Sequence, residues 1–178
     1  MRNLLLETVE YKIEKTRRGT WRRFVYPDGR YFAEFKSHQV LFGFPLLHYT
    51  WGICPETGQR IIAKGIIAVG RLALGVVAIG HAAFGIIAIG QLALAVGFGF
   101  GQAATGVLAI GQLAIGVLFG LGQIATGIVA IAQIGAGQFV LAQIGFGEYV
   151  WQANAADSEA VEFFQALYAK FKSLFGLG

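Results

Sequence analysis

Glycine recurs every five residues from Gly65 to Gly90, and this period constrains the fold more than any other feature of the chain. Each five-residue unit continues with a variable residue, a large aliphatic residue, usually alanine, and a second large aliphatic residue. Inside a helix each glycine costs about 1 kcal/mol relative to alanine. A period of five also spreads the glycines around a helix instead of along one packing face. The pattern therefore favours short extended segments.

The variable position is polar in every second unit, and the polar residues form two series, each with an internal spacing of about 20–21 residues. The first series is Arg60, His81, Gln102, Gln123 and Gln143, and the second is Arg71, Gln91, Gln112 and Gln133. Thr105 and Thr126 repeat at the same distance. A repeat of this length predicts a parallel β-helix, or β-solenoid, of about four coils with about 20–21 residues each. The two series would then form polar ladders on opposite sides.

The unit Gly90-Gln91-Leu92 and the unit Gly111-Gln112-Leu113 resemble the repeat of pentapeptide-repeat proteins, which are right-handed, four-sided β-helices. In that family a small residue and a polar residue precede an inward Leu or Phe, so the resemblance implies that the third position of each unit points inward. It covers residues 60–147, with Gly in place of the usual Ala. The chain also resembles uncharacterised bacterial hydrophobic, Gly-rich repeat proteins with a Phe-Pro-Leu-x-His stretch, a family that implies no activity.

Charge divides the chain into three regions. Residues 1–59 are basic and are predicted to form a β-hairpin region that leads into the repeats, which occupy residues 60–147. No charged residue occurs from 72 to 147, and residues 148–178 are again of mixed polarity. The predicted fold class is all-β, with a C-terminal amphipathic helix as a cap.

Both flanking regions carry local signals. The turn sequence Pro27-Asp28-Gly29 separates two strand-like segments, Thr20 to Tyr26 and Arg30 to Phe35, which predicts a hairpin. Asp157 or Ser158 is suited to cap the C-terminal helix. Its apolar face has helical spacing and consists of Val161, Phe164, Leu167, Tyr168, Phe171, Leu174 and Phe175.

The composition favours a membrane. Apolar residues make up 56% of the chain and charged residues 13%, about half the charged share of a typical soluble domain. Because neighbouring side chains of a strand point to opposite faces, about half of the large aliphatics must lie outside. The expected function is a membrane-associated structural scaffold that covers this exterior with lipid or with further copies of itself. The alternatives are a polytopic α-helical channel or transporter component and a soluble oligomeric binding module.

The repeat region offers little to catalysis, because it contains no Asp or Glu between Glu56 and Glu148. We therefore expect no enzymatic activity, no metal, no cofactor and no small-molecule substrate. Gly99-x-Gly101-x-x-Ala104 matches a loose dinucleotide motif but has no acidic residue at the required distance. Cys54 and His48 are interpreted as packed residues rather than as a nucleophile and its base.

The basic segment around Trp21 is the predicted binding surface. Arg17, Arg18, Arg22 and Arg23 flank this tryptophan, and basic residues beside an interfacial Trp are typical of binding to an anionic leaflet. Nucleic acid would use similar chemistry, but the apolar repeats favour lipid. The N-terminal segment lacks the apolar run of a signal peptide. The expected location is the membrane, with the basic region on its cytoplasmic side.

Overall fold

The computed structural model describes residues 9–174 and residue 176. Most of these residues lie in β-strands, and a single helix follows near the C-terminus, so the predicted all-β class with a C-terminal helix is confirmed. The chain divides into two compact units, Met1–Val96 and Gly97–Gly178. This division falls inside the predicted repeat region, 60–147.

The first unit begins with antiparallel strands in the sheet order β1-β2-β3-β6, and a two-stranded ribbon, β4-β5, lies in the connection. The strand bounds are β1 Lys12–Lys15, β2 Gly19–Val25, β3 Tyr31–Ser37, β4 Val40–Leu41, β5 Phe44–Pro45 and β6 Leu47–Trp51. The predicted hairpin is confirmed, since β2 and β3 pair from Gly19 with Ser37 to Val25 with Tyr31. Gly29 takes a φ of 83° in its turn, a conformation that favours glycine.

The sheet changes from antiparallel to parallel at β6, which pairs with β7 (Ala63–Val69). Strand β7 in turn pairs in parallel with the start of β8, an extended stretch from Leu72 to Gln152. The partners are two repeat units apart, as in Ala63 with Ala73 and Ala68 with Ala78. The prediction of a four-unit coil is therefore wrong, because hydrogen-bonded partners in β7 and β8 are only two five-residue units apart. A four-sided coil like that of pentapeptide repeats does not fit this register.

Burial follows the five-residue period, but the buried residue is the alanine. In the first unit the repeat positions with at most 1% exposure are Ala63, Ala68, Ala73, Ala78, Ala83, Ala88 and Ala93. The large aliphatics on either side are exposed or half-buried, such as Leu72 at 36% and Leu74 at 48%. The prediction of an inward third position is therefore wrong. The prediction of an apolar exterior is confirmed at Leu74, Ile79 and Phe84.

The glycines allow neighbouring strands to approach. A Cβ atom built on Gly80 would overlap the carbonyl oxygen of Gly70, and one built on Gly90 would overlap that of Gly80. The overlapped atoms are backbone, which cannot rotate away as a side chain can. The glycine period is therefore required by the close spacing of strands that lie two repeat units apart in the chain.

The second unit continues the same pattern. Ala104, Ala109, Ala114, Ala125 and Ala130 are buried, and Val140 takes the same role farther along. Here glycines again pack against carbonyl oxygens from two repeat units earlier, as Gly111 does against Gly101 and Gly122 against Gly111. A short strand, β9 (Ala155–Ala156), pairs with the end of β8 and leads into the helix.

The helix α1 spans Ser158–Leu174, and the carbonyl of Asp157 accepts its first hydrogen bond, from Val161 N at 3.0 Å. Asp157 therefore begins the helix as predicted, although its carboxylate accepts a bond from Val150 N at 2.7 Å. Only Ala160 and Phe164 are buried. The distal part of the predicted apolar face is exposed, including Tyr168 at 64% and Leu174 at 80%. Phe175 lies outside the described residues.

Candidate functional site

The basic segment does not form a single patch. Arg22 and Arg23 are neighbours in β2, so their side chains leave opposite faces of the sheet. Arg22 donates to the buried carboxylate of Glu34, with Nη2 at 2.7 Å from Oε2, and its guanidinium lies 4.5 Å from the ring centre of Tyr11. Arg23 pairs with Glu14 at 3.0 Å and covers the ring of Trp21 at 4.5 Å. The guanidinium of Arg22 is therefore held against the N-terminal sheet by Glu34 and Tyr11.

The other predicted members of this segment remain at the surface. Arg17 and Arg18 lie exposed in the turn between β1 and β2. Trp21 is half-buried and packs its ring 5.0 Å from Phe35 and 5.9 Å from Tyr49. The structure therefore leaves Arg17, Arg18 and Arg23 accessible to an anionic partner.

The predicted polar series are placed differently from the sequence-based expectation. His81 N donates to Arg71 O at 3.1 Å, which makes members of the two series immediate neighbours in the first unit. In the second unit the packing of Gly111 against Gln102 O and of Gly122 against Gln112 O places Gln102, Gln112 and Gln123 in one row. The separation of the two series onto opposite sides is therefore wrong within each unit, because neighbouring strands are two repeat units apart instead of four. All nine members, including Arg60, Gln91, Gln133 and Gln143, are exposed.

Glu34 is the centre of a buried ionic cluster that the sequence analysis missed. Its carboxylate is 4% exposed and contacts Arg22, Lys36 Nζ at 3.1 Å and His48 Nε2 at 3.0 Å. The other ring nitrogen of His48 accepts a bond from Lys64 N at 2.8 Å, so Nε2 carries the proton and donates to Glu34. Burial raises the pKa of Glu34, but the bonds from His48 and Lys36 and the charge of Arg22 outweigh it and lower the pKa to about 2.

Cys54 and His48 do not form a catalytic pair. The bonds of His48 go to Glu34 and Lys64, whereas Cys54 is buried with its Sγ 3.6 Å from the hydroxyl of Tyr11. Burial raises the pKa of the Cys54 thiol, and hydrogen bonds involving Thr57, Tyr11 and Glu56 reverse this effect and lower it. Within the described residues no three His, Cys, Asp or Glu side chains are grouped to hold a metal ion.

A cleft of about 850 Å³ opens on the surface of the first unit. Three glycines of the repeat, Gly70, Gly80 and Gly90, lie at its base. On one side of them is an aliphatic row formed by Val69, Ile79 and Ile89, and on the other a polar row formed by Arg71, His81 and Gln91. The cleft is therefore bordered by an aliphatic row and a polar row, with the three glycines between them in the sequence. We call this the glycine trench.

The end of the glycine trench next to the antiparallel sheet is aromatic and basic. Tyr31, Tyr49 and Trp51 contribute rings, and Arg30 and Arg60 contribute guanidinium groups. Arg30 is paired with Asp28 at 2.7 Å. Arg60 and Arg71 form no ion pair within the described part of the chain, and no Asp or Glu of that part lines the cleft. No small-molecule substrate was expected from the sequence, and this cleft is not visible there, because its walls come from segments as far apart as Tyr26 and Gln91.

Comparison of the chain with protein-family models, with curated proteins and with solved structures finds no match. Among the described residues no helix is long and apolar enough to cross a membrane. The structure gives the polytopic α-helical alternative no support, because the apolar segment from Leu72 to Gln152 is strand.

Proposed function

We propose that this chain is a non-catalytic structural protein whose repeats form a two-sided parallel β-solenoid, with its apolar exterior buried in a membrane. The parallel register of β7 and β8 supports coils of two five-residue units, each unit forming one side. The packing of Gly111 on Gly101 and of Gly122 on Gly111 supports the same coil in the second unit. The proposal retains the predicted β-solenoid and replaces the four-sided coil with a narrower one.

The observation that carries the proposal is the inversion of the usual burial pattern. Large aliphatic residues are normally among the most buried in a protein, yet in these repeats alanine occupies nearly all interior positions and most Leu, Ile, Val and Phe side chains are exposed or half-buried. In the second unit Val117 is 65% exposed, Ile144 53% and Phe146 62%. A soluble monomer rarely exposes a contiguous apolar patch above about 300–600 Å². Such an exterior requires an apolar cover.

Lipid is the cover that the repeats fit best. Hydrocarbon accepts only backbone whose polar groups are satisfied within the protein, and a solenoid satisfies them between coils. The absence of charged residues from 72 to 147 removes the largest cost of entering lipid. At two repeat units per coil, residues 97–152 correspond to about five coils. At roughly 4.8 Å per coil they extend about 24 Å, which is most of the roughly 30 Å thickness of the hydrocarbon core.

Replacing the exposed aliphatics of the second unit should release the protein from membranes. We expect the quadruple variant Val117→Thr, Leu118→Thr, Ile128→Thr and Ile144→Thr to stay in the bottom fraction instead of floating with liposomes, because threonine retains the strand preference but removes the apolar surface. The measurement is flotation with phosphatidylcholine liposomes. The matched control replaces Gln112, Gln123, Gln133 and Gln143 with Thr and should float like the parent.

A different result would favour the soluble oligomeric alternative. If the parent protein stays in the supernatant after lysis and runs as a defined oligomer without detergent, further copies of the chain cover the exterior. The Thr variant would then dissociate to monomers in analytical ultracentrifugation, and the lipid proposal would be rejected.

We further propose that the exposed basic residues hold the N-terminal region on an anionic cytoplasmic leaflet. Arg17, Arg18 and Arg23 are available for this role, each contributing about 1 kcal/mol near a charged surface, whereas Arg22 is held by Glu34. Changing these three residues to Gln should weaken binding to phosphatidylserine vesicles, and the difference from the parent should vanish near 1 M salt, where the Debye length is about 3 Å. Equal binding of both proteins at low salt would show that the segment is only a solvated surface.

A further inference from the structure

We propose that the glycine trench of the first unit binds a single-chain anionic amphiphile, with the acyl chain along the aliphatic row and the charged head at Arg60 and Arg71. The aliphatic row of this site belongs to the apolar exterior of the repeats, whereas its charged end does not. The site depends only on the geometry of residues 26–91, so it can be tested whether or not the repeats enter lipid.

The shape of the trench follows from the repeat itself. Val69 pairs with Ile79 in the parallel register, and Ile89 occupies the same position one coil later. Adjacent strands lie about 4.8 Å apart, so the three side chains form an apolar strip about 10 Å long. The glycines beside this strip are required for the close approach of the strands, and this close spacing brings the three aliphatic side chains into a continuous row.

The positive charge of the cleft indicates that the head group of the ligand is anionic. Arg60 and Arg71 are exposed, have no carboxylate partner among the described residues and line the same cleft, to which the described chain contributes no acidic residue. Guanidinium groups bind carboxylate and phosphate through charge-assisted hydrogen bonds. Because no described group of the protein neutralises these two cations, an anion is the complementary partner. His81 and Gln91 continue the polar row and can donate further hydrogen bonds.

Size and lining agree with this class of ligand. The volume of about 850 Å³ lies within the range of about 300–1,000 Å³ that is typical of small-molecule sites, which combine mostly apolar walls with a few polar groups. The rings of Tyr31, Tyr49 and Trp51 close one end of the trench. Trp51 is 51% exposed, which makes it a natural reporter of occupancy.

Quenching of Trp51 fluorescence by 9,10-dibromostearate tests the proposal on the full chain in neutral phosphatidylcholine nanodiscs. Bromine quenches tryptophan at short range, so we expect saturable quenching of the parent protein and loss of the saturable component in the variant Trp51→Phe. The methyl ester of the same acid partitions into lipid without a charge. It should give only the weak, non-saturating quenching of Trp21 and Trp151.

The arginines are tested by the double variant Arg60→Gln and Arg71→Gln. We expect its half-saturating concentration to rise at least about tenfold, because two charge-assisted bonds are lost. The matched control, Arg17→Gln and Arg18→Gln, removes the same charge from exposed positions outside the cleft and should bind like the parent. Both arginines of the test pair are exposed and lack an ion pair within the described chain, so circular dichroism should show unchanged folding.

Three results would overturn the proposal. Equal quenching by the acid and its methyl ester would mean apolar partitioning alone. Unchanged binding by the Arg60 and Arg71 double variant would remove the head-group site. Retention of the saturable component in Trp51→Phe would place the amphiphile outside the trench.

Discussion

Replacing Gly90 with alanine is expected to destabilise the first unit by about 3 kcal/mol, the upper end of the cost of overpacking a close-packed interior. The added Cβ would overlap the carbonyl oxygen of Gly80, a backbone atom of the neighbouring strand. Relief of this overlap requires the two strands to separate, which also weakens their hydrogen bonds. An ordinary change from glycine to alanine in a compatible conformation would instead stabilise the fold slightly, so the predicted sign is diagnostic.

The adjacent residue provides the control for this experiment. Gln91 is exposed on the next position of the same strand, and Gln91→Ala should change the free energy of unfolding by no more than about 0.5 kcal/mol. Denaturant titration followed by circular dichroism compares the two variants with the parent. A Gly90→Ala protein as stable as the parent would show that the strands are not packed at this spacing.

Replacing Glu34 with glutamine is expected to lower the free energy of unfolding at pH 7 by on the order of 3 kcal/mol. The carboxylate is buried and accepts hydrogen bonds from Arg22, Lys36 and His48. An amide has the same shape but no charge and offers only one acceptor oxygen. Arg22 and Lys36 would lose their counter-charge, and the guanidinium of Arg22 would remain largely removed from water.

The pH dependence gives this prediction a second readout. The pKa of Glu34 is lowered from 4.5 to about 2 in the folded protein, so its contribution to stability is fully present above the unfolded pKa. That contribution should decline as the pH falls from about 4.5 to about 2. The difference in stability between the parent and Glu34→Gln should therefore be largest near neutral pH and shrink toward zero at about pH 2.

Glu14 is the matched control, because it also pairs with an arginine but is 52% exposed. An exposed ion pair is worth at most about 1 kcal/mol, so Glu14→Gln should have only a small effect on the free energy of unfolding. If Glu34→Gln is no more destabilising than Glu14→Gln, the cluster around Glu34 does not stabilise the N-terminal sheet.

The local signals of the sequence were sufficient where one turn or cap decides the structure. The residues Pro27-Asp28-Gly29 predicted the β2–β3 hairpin because turn conformation depends on the residues within it. The choice of Asp157 or Ser158 located the start of α1, although the Asp157 carboxylate accepts a bond from Val150 N instead of from the first turn of the helix. The long charge-free stretch and the glycine period together predicted extended backbone, since a helix would tolerate neither that many glycines nor their spacing.

The sequence distance between hydrogen-bonded strands of the repeats was not decided by the sequence pattern alone. The interval that separates Arg71, His81 and Gln91 is visible in the sequence, but so is the doubled interval from Thr105 to Thr126. A one-dimensional period does not say whether hydrogen-bonded strands lie one interval or two intervals apart in the chain, because both arrangements bring equivalent residues into line. Only the hydrogen-bond register, in which Ala63 lies beside Ala73, selects the shorter repeat.

The sequence by itself determined the extended, apolar character of the repeats. Glycine disfavours a helix wherever it occurs, and the absence of charged residues from 72 to 147 is a property of composition that needs no tertiary contact. The tertiary structure alone decided which side chains lie inside. Hydrophobicity favours a buried Leu or Ile, but the structure buries Ala78 and Ala88 and leaves Ile79 and Ile87 exposed, because the register of the packed strands turns the alanines inward. The glycine trench has the same origin, since its cations, rings and aliphatic row meet only when strands from Tyr31 to Ile89 are brought side by side.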